Sequence, residues 1–191
     1  MTRELVVQFP PEHGGLSHSE VAAVLQAIKV DQMLPGRISG PDSANLDTGI
    51  RSGAVQWVSP DAVGLPVFSH LFTLASVANE ERGWDFQLDG IAQALQAVRY
   101  SADAAEHYDW HVDWGPGNAR LRKITVVAHL SVEDSFEGGL LQITTGSNPI
   151  SVGQAAGTVT VFPSFLMHRV TPVTAGCRLA AVCWILGPSF R

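Results

Sequence analysis

The chain has 191 residues, of which 46% are hydrophobic and 16% charged, with 18 glycines and 11 prolines spread along it. This composition excludes a disordered or fibrous chain and fits one domain, which at this length hides about 70% of its unfolded surface. A net charge of −6, with basic residues gathered only at 119–123, leaves little counterion release to drive binding to nucleic acid, so no nucleic-acid partner is expected.

No run approaches the roughly 18 apolar residues of a membrane span, and the first fifteen residues lack the apolar stretch of a secretory signal, so no membrane partner and a cytoplasmic location are expected. Ser17 followed by Glu20 is a capping-box pattern, and Val21, Val24, Leu25 and Ile28 recur at helical spacing, which predicts a helix over 17–30. Residues 34–49, rich in Gly, Pro, Asp and Asn, read as a loop and a candidate lid, leading into a strand around 51–60 that contains Trp57. Pro66 opens a second helix whose buried stripe is Val67, Leu71, Leu74 and Val77. From Trp84 the period changes to two, with strands expected at 84–88, 93–101, 107–114, 123–131, 139–144, 157–162, 166–170 and 178–186. Cys177 and Cys183 fall on one extended strand roughly 20 Å apart, too far to bridge. The order of elements predicts an α+β fold: residues 84–191 as a double-sheet, jelly-roll barrel, and residues 1–83 as helical support packed on its outside.

Within this frame, His111 and Asp113 stand one residue apart, so on a strand they share a face; alone, the pair reads equally as a polar patch. His168, at the start of another extended piece, supplies a third ligand type. Arg178 lies ten residues later, against the apolar run 179–186, where an enclosed guanidinium needs an anionic partner and suits a carboxylate held by both prongs. Two imidazoles and one carboxylate match the facial triad of non-haem Fe(II) oxygenases.

The segments VRYSADAAEHYDWHVDW, RKITVVAHLS, FEGGLLQI and GTVTVFPSFLMHRVTPVTAGCRLAAVCWILGPSFR resemble the 2-oxoglutarate/Fe(II)-dependent dioxygenase superfamily and, within it, the prolyl 4-hydroxylase-like branch. The likeness covers about 51–191, and residues 1–50 add little to it. It implies a double-stranded β-helix with Fe(II), 2-oxoglutarate and O₂ as cofactor and cosubstrates and ascorbate as a candidate reductant. It also implies hydroxylation of an unactivated C–H bond on a prolyl residue, an amino acid or a small metabolite. Carried over by position, His111, Asp113 and His168 are the expected iron ligands, and Arg178 the partner of the distal carboxylate of 2-oxoglutarate. His129, where relatives carry a tyrosine, and Tyr100 are expected beside that carboxylate, although each could equally be a core residue. Tyr108, Gln96 and Arg122 match substrate-side positions, with Arg122 expected to be exposed. Trp110 and Trp114, alternating with the ligands, are expected in the core on the opposite face. Gly138 and Gly139 are read as structural, His18 as a helix N-terminal residue and His70 as a helix residue, and His13 and His107 are left without partners. Asp113, where a halogenating relative would have a small residue, favours hydroxylation. The rival reading is a non-catalytic, cupin-like metal or small-molecule binding module. An alkylated-nucleobase demethylase would need a basic groove that this sequence does not supply.

Overall fold

The structure is a computed structural model that describes residues 4–37, 47–92, 94–146 and 148–190. The chain starts with strand β1 (Val7–Phe9) and helix α1 (His18–Ala27), then β2 (Leu34–Pro35), β3 (Ala54–Val58), the short helix α2 (Pro60–Val63) and helix α3 (Leu65–Glu81). Strands β4 (Gly90–Ile91), β5 (Leu95–Ser101), β6 (Tyr108–His111), β7 (Arg122–His129) and β8 (Phe136–Gly138) follow. The last are β9 (Leu141–Thr144), β10 (Pro149–Ser151), β11 (Val159–Pro163), β12 (His168–Val170) and β13 (Val173–Leu186). Among the described residues the large antiparallel sheet runs β1-β11-β7-β13-β5-β3-β2, with β4 and β8 paired to β13, and the small one runs β10-β9-β12-β6.

Side-chain alternation along the strands builds two cores, one on each face of the large sheet. On β7 and β13, Ile124, Val126, Ala128, Ala181, Cys183 and Ile185 join Val24 of α1 and Phe68 and Leu71 of α3. Val127 and Ala180, of the other parity, pack with Leu141, Ile143 and Val170 of the small sheet. Thr125, His129, Arg178 and Trp184 therefore face the space between the sheets. The jelly-roll expectation holds in this sense: helices cover one face of the large sheet and the small sheet covers the other. Both cysteines are free.

The helices start as the sequence dictates and end where tertiary contacts take over. Glu20 donates its N–H to Ser17 Oγ (3.3 Å), and Ser17 returns its own to Glu20 Oε2 (2.8 Å). α1 stops at Ala27, short of 30, because Ile28 turns extended and the Lys29 N–H is taken by Gln56 Oε1 on β3 at 2.7 Å. The buried stripe of α3 is Val67, Phe68, Leu71, Leu74, Ala75 and Ala78; Val77 falls off it and is half-buried. His70 links the two helices, with Nδ1 2.7 Å from Glu20 Oε1 and Nε2 3.0 Å from Gly14 O.

Four expectations need correction. Residues 84–88 form no strand: the Trp84 indole donates to Glu4 O (3.0 Å) and the Asn79 carboxamide clamps both backbone groups of Phe86, so local side-chain bonds replace a ladder. Residues 1–83 are not helical support alone, since β1, β2 and β3 are members of the large sheet. β6 ends at His111 rather than 114, and β13 begins at Val173 rather than 178. Leu34 and Pro35, assigned to the loop, pair with Val55 and Ala54; positions 38–46 of the candidate lid lie outside the described residues.

Ser17→Ala is expected to lower the unfolding free energy by about 1 kcal/mol, the usual worth of a side-chain cap. A urea denaturation midpoint equal to that of the parent protein would show that the capping box does not hold α1.

Candidate metal centre

β6 and β12 pair with His111 opposite His168, which brings the two imidazole centroids to 4.1 Å. Asp113 lies beyond the end of β6, so strand alternation does not aim it. Instead its N–H and that of Trp114 both donate to Ser164 O (3.0 Å each), in the turn that follows β11. Its carboxylate accepts from the Thr125 hydroxyl at 2.8 Å, and its carbonyl accepts from Arg122 Nη1 at 3.1 Å. The result sets Asp113 Oδ1 3.8 Å from His111 Nε2 and Asp113 Oδ2 3.5 Å from His168 Nε2. One ligand atom from each of the three lies within 4.8 Å of the others.

The second nitrogens of the rings decide what this space can hold. His111 Nδ1 is 2.8 Å from Asp109 O and His168 Nδ1 is 2.9 Å from Leu166 O. A carbonyl only accepts, so each Nδ1 carries a proton, and each Nε2 is turned toward Asp113. Burial, helped by the neighbouring His168, pushes the His111 pKa down to about 3, so its imidazole is neutral at ordinary pH. Burial also opposes the charge on Asp113, but the two imidazoles, the Trp184 indole and the Thr125 hydroxyl outweigh it and hold the carboxyl below its ordinary range. The indole N–H faces the carboxyl without completing a hydrogen bond to it. Two imidazole Nε2 atoms and a carboxylate thus converge, a donor set that fits a divalent cation.

On the same inner face sits Arg178, 2% exposed. Its Nε donates to Gln154 Oε1 at 2.9 Å, its Nη2 is 3.5 Å from His129 Nδ1, and the Tyr100 ring lies 5.8 Å from its central carbon. With Nδ1 facing a guanidinium, His129 donates from Nε2 to Thr160 Oγ1 (3.0 Å); burial, then Arg178, keep it neutral far below the usual histidine range. Burial lowers the Arg178 pKa to about 10, which leaves it charged at neutral pH, yet among the described residues it forms no ion pair. Gly139, at φ 58°, lies under its stem: a Cβ there would come within 3.0 Å of the arginine Cδ. The glycine read as structural from sequence thus makes room for the arginine.

The expected site residues gather, with some changes of role. His111, Asp113 and His168 meet, as do Arg178, His129 and Tyr100. Tyr108 stacks on His111, with ring centroids 3.5 Å apart, and burial pushes its hydroxyl pKa up to about 12. Arg122 is not exposed: its guanidinium lies 3.7 Å from the Trp184 ring centroid while holding the Asp113 carbonyl. Trp110 and Trp114 are not core residues. Trp110, on β6, is half-buried against Arg169 on the face away from the ligands, and Trp114 is 39% exposed beside Phe190 because the chain leaves the strand at His111. His107 gains partners, with its ring against Ser52 Oγ and Gly49 O.

Sequence reasoning missed Arg51, Gln154 and Trp184. Arg51 is 6% exposed; its guanidinium stands 4.6 Å from the Tyr108 ring centroid and donates to Gln96 Oε1 (2.9 Å) and Arg37 O (3.2 Å). Two backbone bonds, Ser52 N–H to His107 O and Asp109 N–H to Ile50 O, zip its segment to the approach of β6. The available signal was the pair of glycines around it: a Cβ on Gly36 would strike Arg51 Nε at 2.6 Å, and one on Gly53 the Tyr100 ring at 2.6 Å.

Comparison with known proteins agrees with this geometry. Residues 95–186 match the family described as the 2OG-Fe(II) oxygenase superfamily. A PKHD-type hydroxylase of Hyphomonas neptunium is 43% identical over 82 residues, 41% of this chain and 37% of the relative, and one of Synechococcus sp. is 40% identical over 85 residues, 44% and 38%. The chain therefore spans less than two fifths of the length of these curated relatives. Among solved structures, a prolyl hydroxylase from Trichoplax adhaerens in complex with a hypoxia inducible factor peptide fragment superposes with a TM-score of 0.72 at 19% identity, over 95% of this chain and 83% of that one. A Pseudomonas putida prolyl-4-hydroxylase gives 0.71 at 19% identity, over 95% and 92%. At such identities the likeness shows the fold, the double-stranded β-helix of these hydroxylases. The resemblance read from the sequence holds over 95–186.

A buried guanidinium with no carboxylate should cost stability. Arg178→Met is expected to stabilise the metal-free protein by on the order of 1–3 kcal/mol, seen as a higher melting midpoint. A lower midpoint would mean that Gln154 and His129 already satisfy the charge.

Proposed function

We propose that this chain, whose residues 95–186 carry the pattern of the 2OG-Fe(II) oxygenase superfamily, is a 2-oxoglutarate-dependent Fe(II) dioxygenase that hydroxylates an unactivated C–H bond. The observation that carries the reading is the convergence of His111, Asp113 and His168, with the inner-face Arg178 buried and meeting no acid among the described residues. In this reading the three residues hold Fe(II), and Arg178, supported by Gln154, His129 and Tyr100, takes the distal carboxylate of 2-oxoglutarate. Ferrous iron bound there with 2-oxoglutarate and O₂ supplies the chemistry: one oxygen atom enters the C–H bond and the other enters succinate as CO₂ leaves.

The remaining residues orient and shield. The Leu166 and Asp109 carbonyls orient the imidazoles, the Thr125 hydroxyl donates to the Asp113 carboxylate, and the Ser164 carbonyl holds the Asp113 backbone N–H. Trp184, Val182 and Val98 keep an apolar wall on the inner face, which excludes water from the reacting carbon. Tyr108, Gln96 and Arg122 line the side from which a substrate would approach. A prolyl residue in a peptide is supported by the peptide named with the Trichoplax neighbour, while an amino acid or small metabolite suits the same site. Ascorbate is the candidate reductant. We take residues 1–191 as one domain and a cytoplasmic enzyme. A non-catalytic binding module gives the buried Arg178 no role.

The test is succinate formation from 2-oxoglutarate with Fe(II) and no other substrate, as slow uncoupled turnover. His111→Ala, Asp113→Ala and His168→Ala are each expected to lose bound iron and succinate together. Arg178→Ala should raise the 2-oxoglutarate concentration needed by about ten- to a hundredfold, the effect of losing a charge-assisted pair of about 1.5–3 kcal/mol. Iron held at full stoichiometry by His168→Ala, or an unchanged 2-oxoglutarate requirement in Arg178→Ala, would contradict the assignment.

A further inference from the structure

Three guanidinium groups stand near the metal centre: Arg122 on the Asp113 carbonyl, Arg51 over the Tyr108 ring that stacks on His111, and Arg178 beside Tyr100 on the inner face. Elsewhere half-buried Arg82 pairs with Glu4 at 3.1 Å and Arg99 with Glu106 at 3.6 Å, while Arg169 has Gln142 and the Trp110 ring. Among the described residues Arg51, Arg122 and Arg178 enter no such pair. Arg178 has a use in the dioxygenase reading. Arg122 holds the carbonyl of the ligand Asp113, but Arg51 has no such use, and a divalent metal nearby would raise the local positive charge further.

Both arginines lie against residues that flank the metal ligands. Tyr108 stacks on His111, Arg51 lies over the Tyr108 ring, and Arg122 acts on the same tyrosine from the Trp184 side. A guanidinium carries five N–H donors. Arg51 spends Nη1 on Arg37 O and Nη2 on Gln96 Oε1, while its Nε is buried without a partner; Arg122 makes a single hydrogen bond, to Asp113 O. A role limited to packing would not need Arg51, a charge at 6% exposure that meets no acid among the described residues.

We infer that Arg51, with Arg122 beside it, forms a carboxylate-binding subsite for the substrate that is hydroxylated, so the substrate class is one with a carboxylate close to the reacting carbon. The inference rests on the dioxygenase reading for which ligand reacts, but not for the subsite itself. The carboxylate has two sources, the free acid of an amino-acid-like small molecule or an acidic side chain next to the target residue of a peptide. The bidentate geometry of a guanidinium with a carboxylate serves either.

The experiment compares isosteric pairs on the protein loaded with Zn(II) in place of iron and with 2-oxoglutarate, by titration calorimetry. One pair is N-acetylproline and N-acetylprolinamide; the other is acetyl-Glu-Pro-Glu-amide and acetyl-Gln-Pro-Gln-amide. The parent protein is expected to prefer the carboxylate of at least one pair by about tenfold or more, and which pair discriminates identifies the source. Arg51→Gln should bring that ratio close to one, Arg51→Lys should keep part of it, and Arg82→Gln, which removes an arginine elsewhere, should keep all of it. Equal binding of both members of both pairs, no measurable binding of any of the four, or an Arg51→Gln protein that discriminates like the parent would overturn the inference. Succinate release with iron is measured alongside. Its absence together with a retained carboxylate preference would remove the dioxygenase reading and leave the subsite standing.

Discussion

Two imidazole nitrogens and a carboxylate oxygen face one another across one small space, and the rest of the molecule is organised to keep them so. They are held by contacts outside the cluster: carbonyls of residues 109 and 166 accept from the far side of each ring, the Thr125 hydroxyl donates to the carboxylate, and the Ser164 carbonyl holds the Asp113 backbone N–H. These supports come from β6, from β7 and from the turn between β11 and β12, so the site requires both sheets at once. The pairing of β6 with β12 supplies the histidines, while β7 and the turn after β11 supply the grip on the acid. A centre assembled from four chain segments is rigid because the sandwich is rigid.

The same logic extends to charge. Burial raises the energy of Arg178 and of Arg51, and in a protein shaped for stability alone an apolar residue would serve better at both positions. Their retention beside a cation-binding cluster makes sense if the unliganded state is incomplete, with anions arriving to meet the cations. The inner face of the large sheet thus carries the buried Thr125, His129 and Arg178, whereas its outer face, packed by α1 and α3, is an ordinary apolar core. The alternation of one residue along β7 and β13 separates the two: Ile124, Val126 and Ala128 stabilise, and Thr125 and His129 serve the site.

Much of this was legible in the sequence where local rules govern. The Ser17–Glu20 cap, the parity of β7 and the spacing of His111, Asp113, His168 and Arg178 rest on periodicity and residue chemistry, and they survive folding unchanged. The approach of Asp113 was legible for the wrong reason: a strand was expected to aim it, but Ser164, fifty-one positions away, does so through its carbonyl. What the sequence hid depends on distant partners. Arg51 sits in a loop-like stretch and becomes a site residue only because backbone bonds tie 50–52 to 107–109. Gln154 looks like any polar loop residue until β13 brings Arg178 beside it. Trp84 and Phe86 alternate like a strand, but their neighbours Glu4 and Asn79 satisfy them without one.

The proposal that a metal at His111, Asp113 and His168 and the Arg178 guanidinium hold the two ends of one dicarboxylic 2-oxo acid is most directly measured by comparing 2-oxoglutarate with its distal (C5) methyl ester in calorimetric titrations of the Fe(II)-loaded protein under anaerobic conditions. Both keep the open 2-oxo acid end and differ where Arg178 would be met. One equivalent of 2-oxoglutarate is expected to bind, with the ester weaker by about tenfold or more, since a charge-assisted contact is replaced by a neutral one. Equal affinity for the two, or binding of 2-oxoglutarate that does not depend on the metal, would contradict it.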